Sequence, residues 1–398
     1  MRRVVITGAG TVNALAHDLP GTYAALAAGR SGIGPLEFRD ADRLTIRIGA
    51  QIRGWAWDQG LTPQEQSLYD PFTRYALAAA EEALAMAGPG AAEGAGVLIG
   101  SASGGIHTWE ENYRAVFEGG RNRVPPLTVP RLMMNAAASH IGMRHGLTGP
   151  TFAVSSACSS SNHAIGQAFR LIRDGHAPAM LAGGAEAMLC FSGIKAWEGL
   201  RVLSPDGCRP FSASRNGMVM GEGAAVFVLE DEARARARGA KVLAEIAGFG
   251  MTADAGDIVV PSVSGAAGAM RAALAEAGLA PEEIGYINAH GTGTRVNDRN
   301  EVAAIREVFG AGTGLMVSST KAAHGHAIGA TGALELIACL MALDQGVIAP
   351  TLGLDRADPD CDLDHVPNEA RRARTGAALS NSFAFGGLNA VLALRAAR

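Results

Sequence analysis

The sequence predicts an α/β protein built from two related halves, and three observations point there. Short β-branched runs alternate with long Ala/Leu-rich helical patterns, as in strands connected by crossover helices and paired in parallel. Of 398 residues, 48% are hydrophobic and only 18% charged, which supplies apolar surface for two or three units or two large fused halves. A strand–turn–helix segment around Cys158 recurs around Lys321, the mark of a duplicated unit.

Taken in order, Val4-Val5-Ile6 is too short an apolar run for a secretory leader and reads as a first strand. Further strands are predicted over 97–100, 152–155, 179–182, 225–229, 286–289, 315–318 and 390–394. Helices are predicted over 71–87, 162–173, 264–277, 298–309 and 332–343. In the last of these, Leu336, Ile337, Leu340 and Leu343 recur at helical spacing. Gly88, Gly175, Gly278 and Gly310 stand where left-handed C-caps fall. The stretch 333–343 is short and carries Glu335, so no membrane span is expected.

The repeat lays Val154-Ser-Ser-Ala-Cys158-Ser-Ser-Ser-Asn-His163-Ala-Ile-Gly166 without a gap over Val317-Ser-Ser-Thr-Lys321-Ala-Ala-His-Gly-His326-Ala-Ile-Gly329. The overlay puts Cys158 in the place of Lys321. The halves are expected to meet near 234–242, giving an N-terminal half over 1–240 and a C-terminal half over 241–398.

Composition excludes some classes of function. A net charge of −4 and 5% aromatic residues do not suit a nucleic-acid surface, which is basic and interleaved with stacking rings. Cys158, Cys190, Cys208, Cys339 and Cys361 are odd in number and lack CxxC or Cys/His spacing. They read as reduced thiols of a cytoplasmic protein, with neither a disulfide framework nor a metal site.

Cys158 lies between a strand and a helix among Ser and Ala, where backbone N–H groups favour a thiolate and can cradle an oxyanion. His290 lies in Asn288-Ala-His-Gly-Thr292-Gly-Thr294, a loop suited to presenting an imidazole at a strand end. Lys321, His324 and His326 follow another strand, and no carboxylate or cysteine completes a metal spacing around the two histidines. His17, His140, His145, His163 and His176 read as structural or surface residues. The Gly-rich turn 381–389 and Gly8-Ala9-Gly10 are incomplete as phosphate or dinucleotide fingerprints. A cysteine, two histidines and a lysine describe acyl transfer through a thioester. No GxSxG elbow marks a serine hydrolase.

These segments occur together with Gly149-Pro150, Gly221-Glu222-Gly223, Asn381-Ser-Phe383 and Phe385-Gly386-Gly387. In that order the chain resembles the β-ketoacyl-[acyl carrier protein] synthases of the type II elongating class, among the thiolase-like condensing enzymes. The resemblance implies a thiolase fold, five-layered αβαβα from two duplicated halves. It implies ping-pong chemistry in which Cys158 holds an acyl group and His290 and His326 bind the malonyl thioester. Lys321 would hold the histidine region with Glu335 as its ion partner, and Phe383 and Phe385 would form the gate, with the Phe385 N–H in the oxyanion hole. Thr292 and Thr294 would bond the pantetheine arm. The implied partners are an acyl carrier protein and a second copy of the chain, with no nucleic acid. No cofactor is resident, because phosphopantetheine arrives on the carrier.

Some residues depart from the family pattern. Asn216 follows Arg215 where Asp is common, Ala384 stands between Phe383 and Phe385 in place of Gly, and His324 replaces a small polar residue. These changes are similar to a nodulation-protein-E-like branch. Trp109 matches a position at the floor of the acyl pocket, where an indole would exclude long chains. Arg121, Arg123, Arg131 and Arg209 are candidates for a basic rim facing an acidic carrier. The alternatives are a polyketide-type ketosynthase, or a chain-length partner subunit of a heterodimeric synthase. Chain-length subunits lose the nucleophile, which Cys158 opposes. A CoA-dependent thiolase would need a second reactive cysteine near the C-terminus, and 383–389 holds none.

Overall fold

Strand β1 (Val4–Asn13) is buried along its whole length and forms the inner edge of the first of two equivalent sheets. The computed structural model describes residues 2–310, 312 and 314–397, so the outer ends of the expected halves, 1 and 398, lie outside it. The first sheet contains β1, β2 (Gly96–Gly100), β3 (Thr151–Val154), β4 (Ala179–Glu186) and β5 (Gly223–Asp231), in the order β3-β2-β4-β5-β1. The second contains β6 (Ala244–Ala253), β7 (Tyr286–Asn288), β8 (Met316–Ser318), β9 (Ala377–Ala384) and β10 (Leu388–Ala396), in the order β8-β7-β9-β10-β6. The two orders are the same when each half is counted from its own first strand.

Pairing repeats as well. In each half the first strand is antiparallel to the fifth and the fifth to the fourth, while the remaining pairs are parallel. The sheets are therefore mixed, which corrects the expectation of parallel sheets. Val4, Val5 and Ile6 pair antiparallel with Ile246, Glu245 and Ala244 and join the two edges.

The helices supply the other layers. α1 (Pro71–Ala87), α2 (Ile106–Tyr113), α3 (Ala136–His145), α4 (Ser160–Arg173), α5 (Val263–Ala277), α6 (Arg295–Phe309) and α7 (Thr331–Gln345) are the ones that matter below. α4 and α7 are enclosed between the sheets in a core that draws Leu98 and Phe227 from one and Ile246 and Leu392 from the other. α1 and α3 cover the outer face of the first sheet, and α5 and α6 that of the second. The result is the five-layered αβαβα thiolase arrangement. The stretch Ile328–Gln345 is long and apolar enough to cross a bilayer, yet 83% of it is buried in the protein, as befits a central core helix.

Close approach explains the glycines of the first strand. A Cβ at Gly8 or Gly10 would lie 2.1 or 2.2 Å from the carbonyls of Ala83 and Ala79 in α1. Gly248 and Gly250 of β6 meet Ala273 and Ala269 of α5 in the same way. These are helix-packing glycines.

One register is corrected. Ala157, at φ +50°, leads the 3₁₀ turn Ala157–Ser159 into α4, and Ile328, at φ +43°, leads the turn Ile328–Ala330 into α7. The counterpart of Cys158 is therefore Gly329, where the gapless overlay gave Lys321. The C-terminal half has a longer connection between strand and helix, and that added stretch holds Lys321, His324 and His326.

Candidate active site

The Ser-rich sequence around Cys158 builds its own turn. Ser156 N–H donates to Ser160 Oγ at 2.9 Å, Ser160 Oγ donates to Ala157 O at 2.7 Å, and Ser159 Oγ donates to Ser156 O at 2.8 Å. These bonds hold Ala157 in the left-handed region, which costs a side-chain-bearing residue about 1–2 kcal/mol. The strained turn presents Cys158 at the start of α4. His163 is taken up locally, its Nδ1 beside Ser156 Oγ at 2.9 Å.

His290 follows β7. Its N–H and that of Gly291 donate to the two oxygens of Glu301 at 2.8 and 2.7 Å, and Asn381 Nδ2 reaches the same carboxylate at 3.3 Å. Glu301 is buried in α6 and fixes the histidine loop from beneath. Sequence reading missed it, although Asp298, Glu301, Val302, Ile305 and Phe309 form the inward stripe of that helix, and two acids on such a stripe are a signal.

His326 lies on the added connection. Its Nδ1 accepts from Ile328 N–H at 3.1 Å and lies 2.8 Å from Thr331 Oγ1. A neutral ring whose Nδ1 accepts carries its proton on Nε2. Lys321 is fully buried, donates to the carbonyl oxygen of His290, and pairs with Glu335 at 2.5 Å. It thereby clamps the two histidine segments together.

The Cys158 sulfur and one nitrogen each of His290 and His326 lie within 4.8 Å of one another. The imidazole centroids are 5.5 Å apart and their planes cross at 85°. A cavity of about 160 Å³ opens onto this set, lined also by Thr292, Thr294, Phe383, Phe385, Trp197 and Arg295. Phe385 stacks on Trp197 at 5.9 Å, and Phe383 lies edge-on to His290 at 6.2 Å. The Thr292 and Thr294 hydroxyls are 2.9 Å apart.

Burial decides the protonation states. Desolvation pushes the Cys158 thiol up to about 12, against the opposing pull of Lys321 and of the Phe385 and Cys158 backbone N–H groups. Desolvation thus opposes the thiolate that the helix start favours and shifts the balance toward the thiol. Desolvation and the Lys321 charge hold His290 and His326 well below the usual imidazole value. Both rings are neutral and can accept a proton or donate a hydrogen bond. The three donor atoms also have a metal-like spacing, but the Lys321 charge acts on all three and repels a cation.

A second acid, Glu186 at the end of β4, went unnoticed in the sequence. It accepts from Ala102 N–H at 2.7 Å, Ser103 N–H at 3.2 Å, Ser101 Oγ at 3.2 Å and Gly329 N–H at 3.1 Å. Ser161 Oγ donates to the carbonyl of Gly329. The turns around Cys158 and Gly329 are thus locked against each other.

Trp109 stands outside the wall of the Cys158 cavity; it is 40% exposed on α2 and stacks on Tyr113 at 5.1 Å. The arginine in the cavity wall is Arg295; Arg121 and Arg123 are exposed, and Arg131 and Arg209 half-buried, outside that wall. Arg209 is engaged by Asp206 at 2.7 Å.

A buried thiol facing two neutral imidazoles, on a duplicated αβαβα scaffold, defines a condensing acyltransferase. The model of the β-ketoacyl synthase N-terminal domain matches residues 1–235, and that of the C-terminal domain residues 243–355. Nodulation protein E of Rhizobium sp. (strain N33) is 47% identical over 399 residues, 99% of each chain. The 3-oxoacyl-[acyl-carrier-protein] synthase 2 of Staphylococcus aureus (strain COL) is 39% identical over 406 residues, covering 99% of this chain and 98% of that one. Among solved structures, the ishigamide ketosynthase/chain length factor superposes over the whole of both chains with a TM-score of 0.95 at 33% identity. A type II polyketide synthase acyl-carrier protein in complex with its ketosynthase, bound to the hexaketide, gives 0.91 at 29% identity, again over the whole of both chains. The chain belongs to the β-ketoacyl synthase family.

Proposed function

We propose that this enzyme joins a malonyl thioester to an acyl group held on Cys158, both delivered on the phosphopantetheine arm of an acyl carrier protein. The observation that carries the reading is the sulfur and two imidazole nitrogens within 4.8 Å in one cavity. In the first half-reaction the Cys158 sulfur attacks the acyl thioester, its proton passes through a neutral imidazole to the departing pantetheine sulfur, and the acyl group stays on the enzyme. The N–H groups of Cys158 and Phe385 stabilise the oxyanion that forms.

In the second half-reaction His290 and His326 donate to the malonyl thioester carbonyl. The bond to the carboxylate breaks, carbon dioxide leaves, and its electron pair becomes an enolate held by those donors. The enolate carbon attacks the acyl carbonyl, and the Cys158 sulfur departs as a thiolate and takes up one proton from solvent water. Lys321, balanced by Glu335, keeps the imidazoles neutral and in place. Thr292 and Thr294 bond the pantetheine amides, and Phe383 and Phe385 gate the passage.

A polyketide-type synthase performs the same steps, and the solved complex of such a ketosynthase with its carrier supports carrier delivery here. The exposed row Trp109, Tyr113 and Phe117 supports a second copy of the chain as the group that covers this side. Replacing Cys158 by Ala should abolish condensation while malonyl decarboxylation persists, read as carbon dioxide release without a lengthened product. Continued condensation by that variant would overturn the assigned nucleophile.

A further inference from the structure

The added connection between β8 and α7 carries Lys321, His324 and His326, and the chemistry above uses only the first and last. His324 is just as buried, at 2% exposure, and both of its ring nitrogens are engaged. Nδ1 lies 2.8 Å from Gly325 O, and Nε2 lies 3.0 Å from Thr320 Oγ1. A carbonyl can only accept, so Nδ1 carries the proton and Nε2 accepts from the threonine hydroxyl. Burial and the neighbouring Lys321 charge pull this imidazole down to about 3, so it stays neutral and its tautomer is fixed.

The bonds continue beyond the ring. Thr320 Oγ1 accepts from Asn288 Nδ2 at 3.2 Å, the same nitrogen reaches Tyr286 OH at 3.1 Å, and Tyr286 OH lies 2.9 Å from Ser318 Oγ. Asn288 ends β7 two residues before His290. On the other side, Gly325 has φ +69°, and the bond from His324 fixes its carbonyl. The next residue is His326, whose N–H donates to Val219 O at 2.7 Å. One imidazole therefore links the connection bearing His326 to the strand end bearing His290. That connection has no counterpart in the N-terminal half, so the repeated scaffold does not set its path.

We propose that His324 is a positioning residue that sets how the His290 and His326 rings converge on the malonyl thioester. The proposal rests on the reading above, in which those two rings bind that carbonyl. It predicts a split between half-reactions. Acylation needs only one ring, as the base for the thiol, beside the two backbone N–H groups, whereas decarboxylation needs both rings aimed at one oxygen, and small misplacements there cost large factors.

The test uses the full chain with His324→Leu, Thr320→Val and the double variant. Acylation of Cys158 is followed by intact mass, decarboxylation by carbon dioxide release from a malonyl carrier thioester, and folding by melting temperature. Each single variant should acylate within about twofold of the parent and decarboxylate roughly tenfold or more slower, with the double variant no slower than the worse single. His324→Asn, whose amide can still reach Gly325 O, should recover part of the loss. Equal losses in both half-reactions, unchanged decarboxylation, or multiplying effects in the double variant would overturn the proposal. If His324→Leu does not fold, Thr320→Val decides alone, because it removes only a hydroxyl. Loss of acylation in Cys158→Ser tests the underlying reading separately.

Discussion

A thiol held near 12 in the folded protein reacts only when a base takes its proton during attack. Two neutral imidazoles beside it supply that base, so the reacting pair carries no net charge at rest. Alkylation of Cys158 by iodoacetamide should therefore rise steadily with pH and show no plateau below about pH 10, unlike a free thiol near 8.5. A plateau near pH 7, read from the rate of mass gain, would mean a resting thiolate. The Lys321–Glu335 pair makes a second prediction at this scale. Glu335→Gln leaves an ammonium buried without its counter-charge, which should cost about 3–5 kcal/mol in denaturant unfolding. Cys158, His290, Lys321 and His326 were legible in the sequence because strand–turn–helix chemistry is local. The protonation of the sulfur was not, because desolvation belongs to the packed state. The exposure of Trp109 was not legible for the same reason, since a matching position fixes neither the direction of a side chain nor its exposure.

Elements meet across the two halves through small residues. A Cβ at Gly166 in α4 would lie 2.3 Å from the ring of Phe249 in β6, so Gly166→Ala must push the nucleophile helix off the other half. We expect a loss of about 1–3 kcal/mol, the usual range for overpacking, seen as a lower melting temperature with slower acylation. Glu222, just before β5, accepts from Ile52 N–H at 2.9 Å, and burial pushes its carboxyl up to about 7. As pH rises from about 4.5 to about 7 the unfolded chain loses this proton while the folded chain keeps it, so stability falls across that window. Glu222→Gln removes this term, and its melting temperature relative to the parent should climb between about pH 5 and pH 8. The helices of the core were legible from their periodicity. β6 and β9 were not, because AEIAGFGMTA and AALSNSFA hold mostly Ala, Gly and Ser and gain their strand pairing from neighbours.

At the scale of the whole molecule, the duplication was legible from thirteen aligned residues, but its register was not, since the longer second connection hides within a gapless match. The apolar residues on and after α2, with Phe117 at 79% and Val129 at 59% exposure, are where the proposed pairing with a second copy is tested. Charge substitutions such as Phe117→Asp with Val129→Arg should shift sedimentation from dimer to monomer; a monomeric parent would refute the pairing.

The seating of Gly329 has a broader meaning. Symmetric ancestry offered two places for a nucleophile, one at the head of each central helix. The second is closed: any Cβ at Gly329 would lie 2.5 Å from both the Ala102 amide and Glu186. One lobe thus kept the reagent while its twin became the tool rest, and each polypeptide can turn over only a single chain at a time.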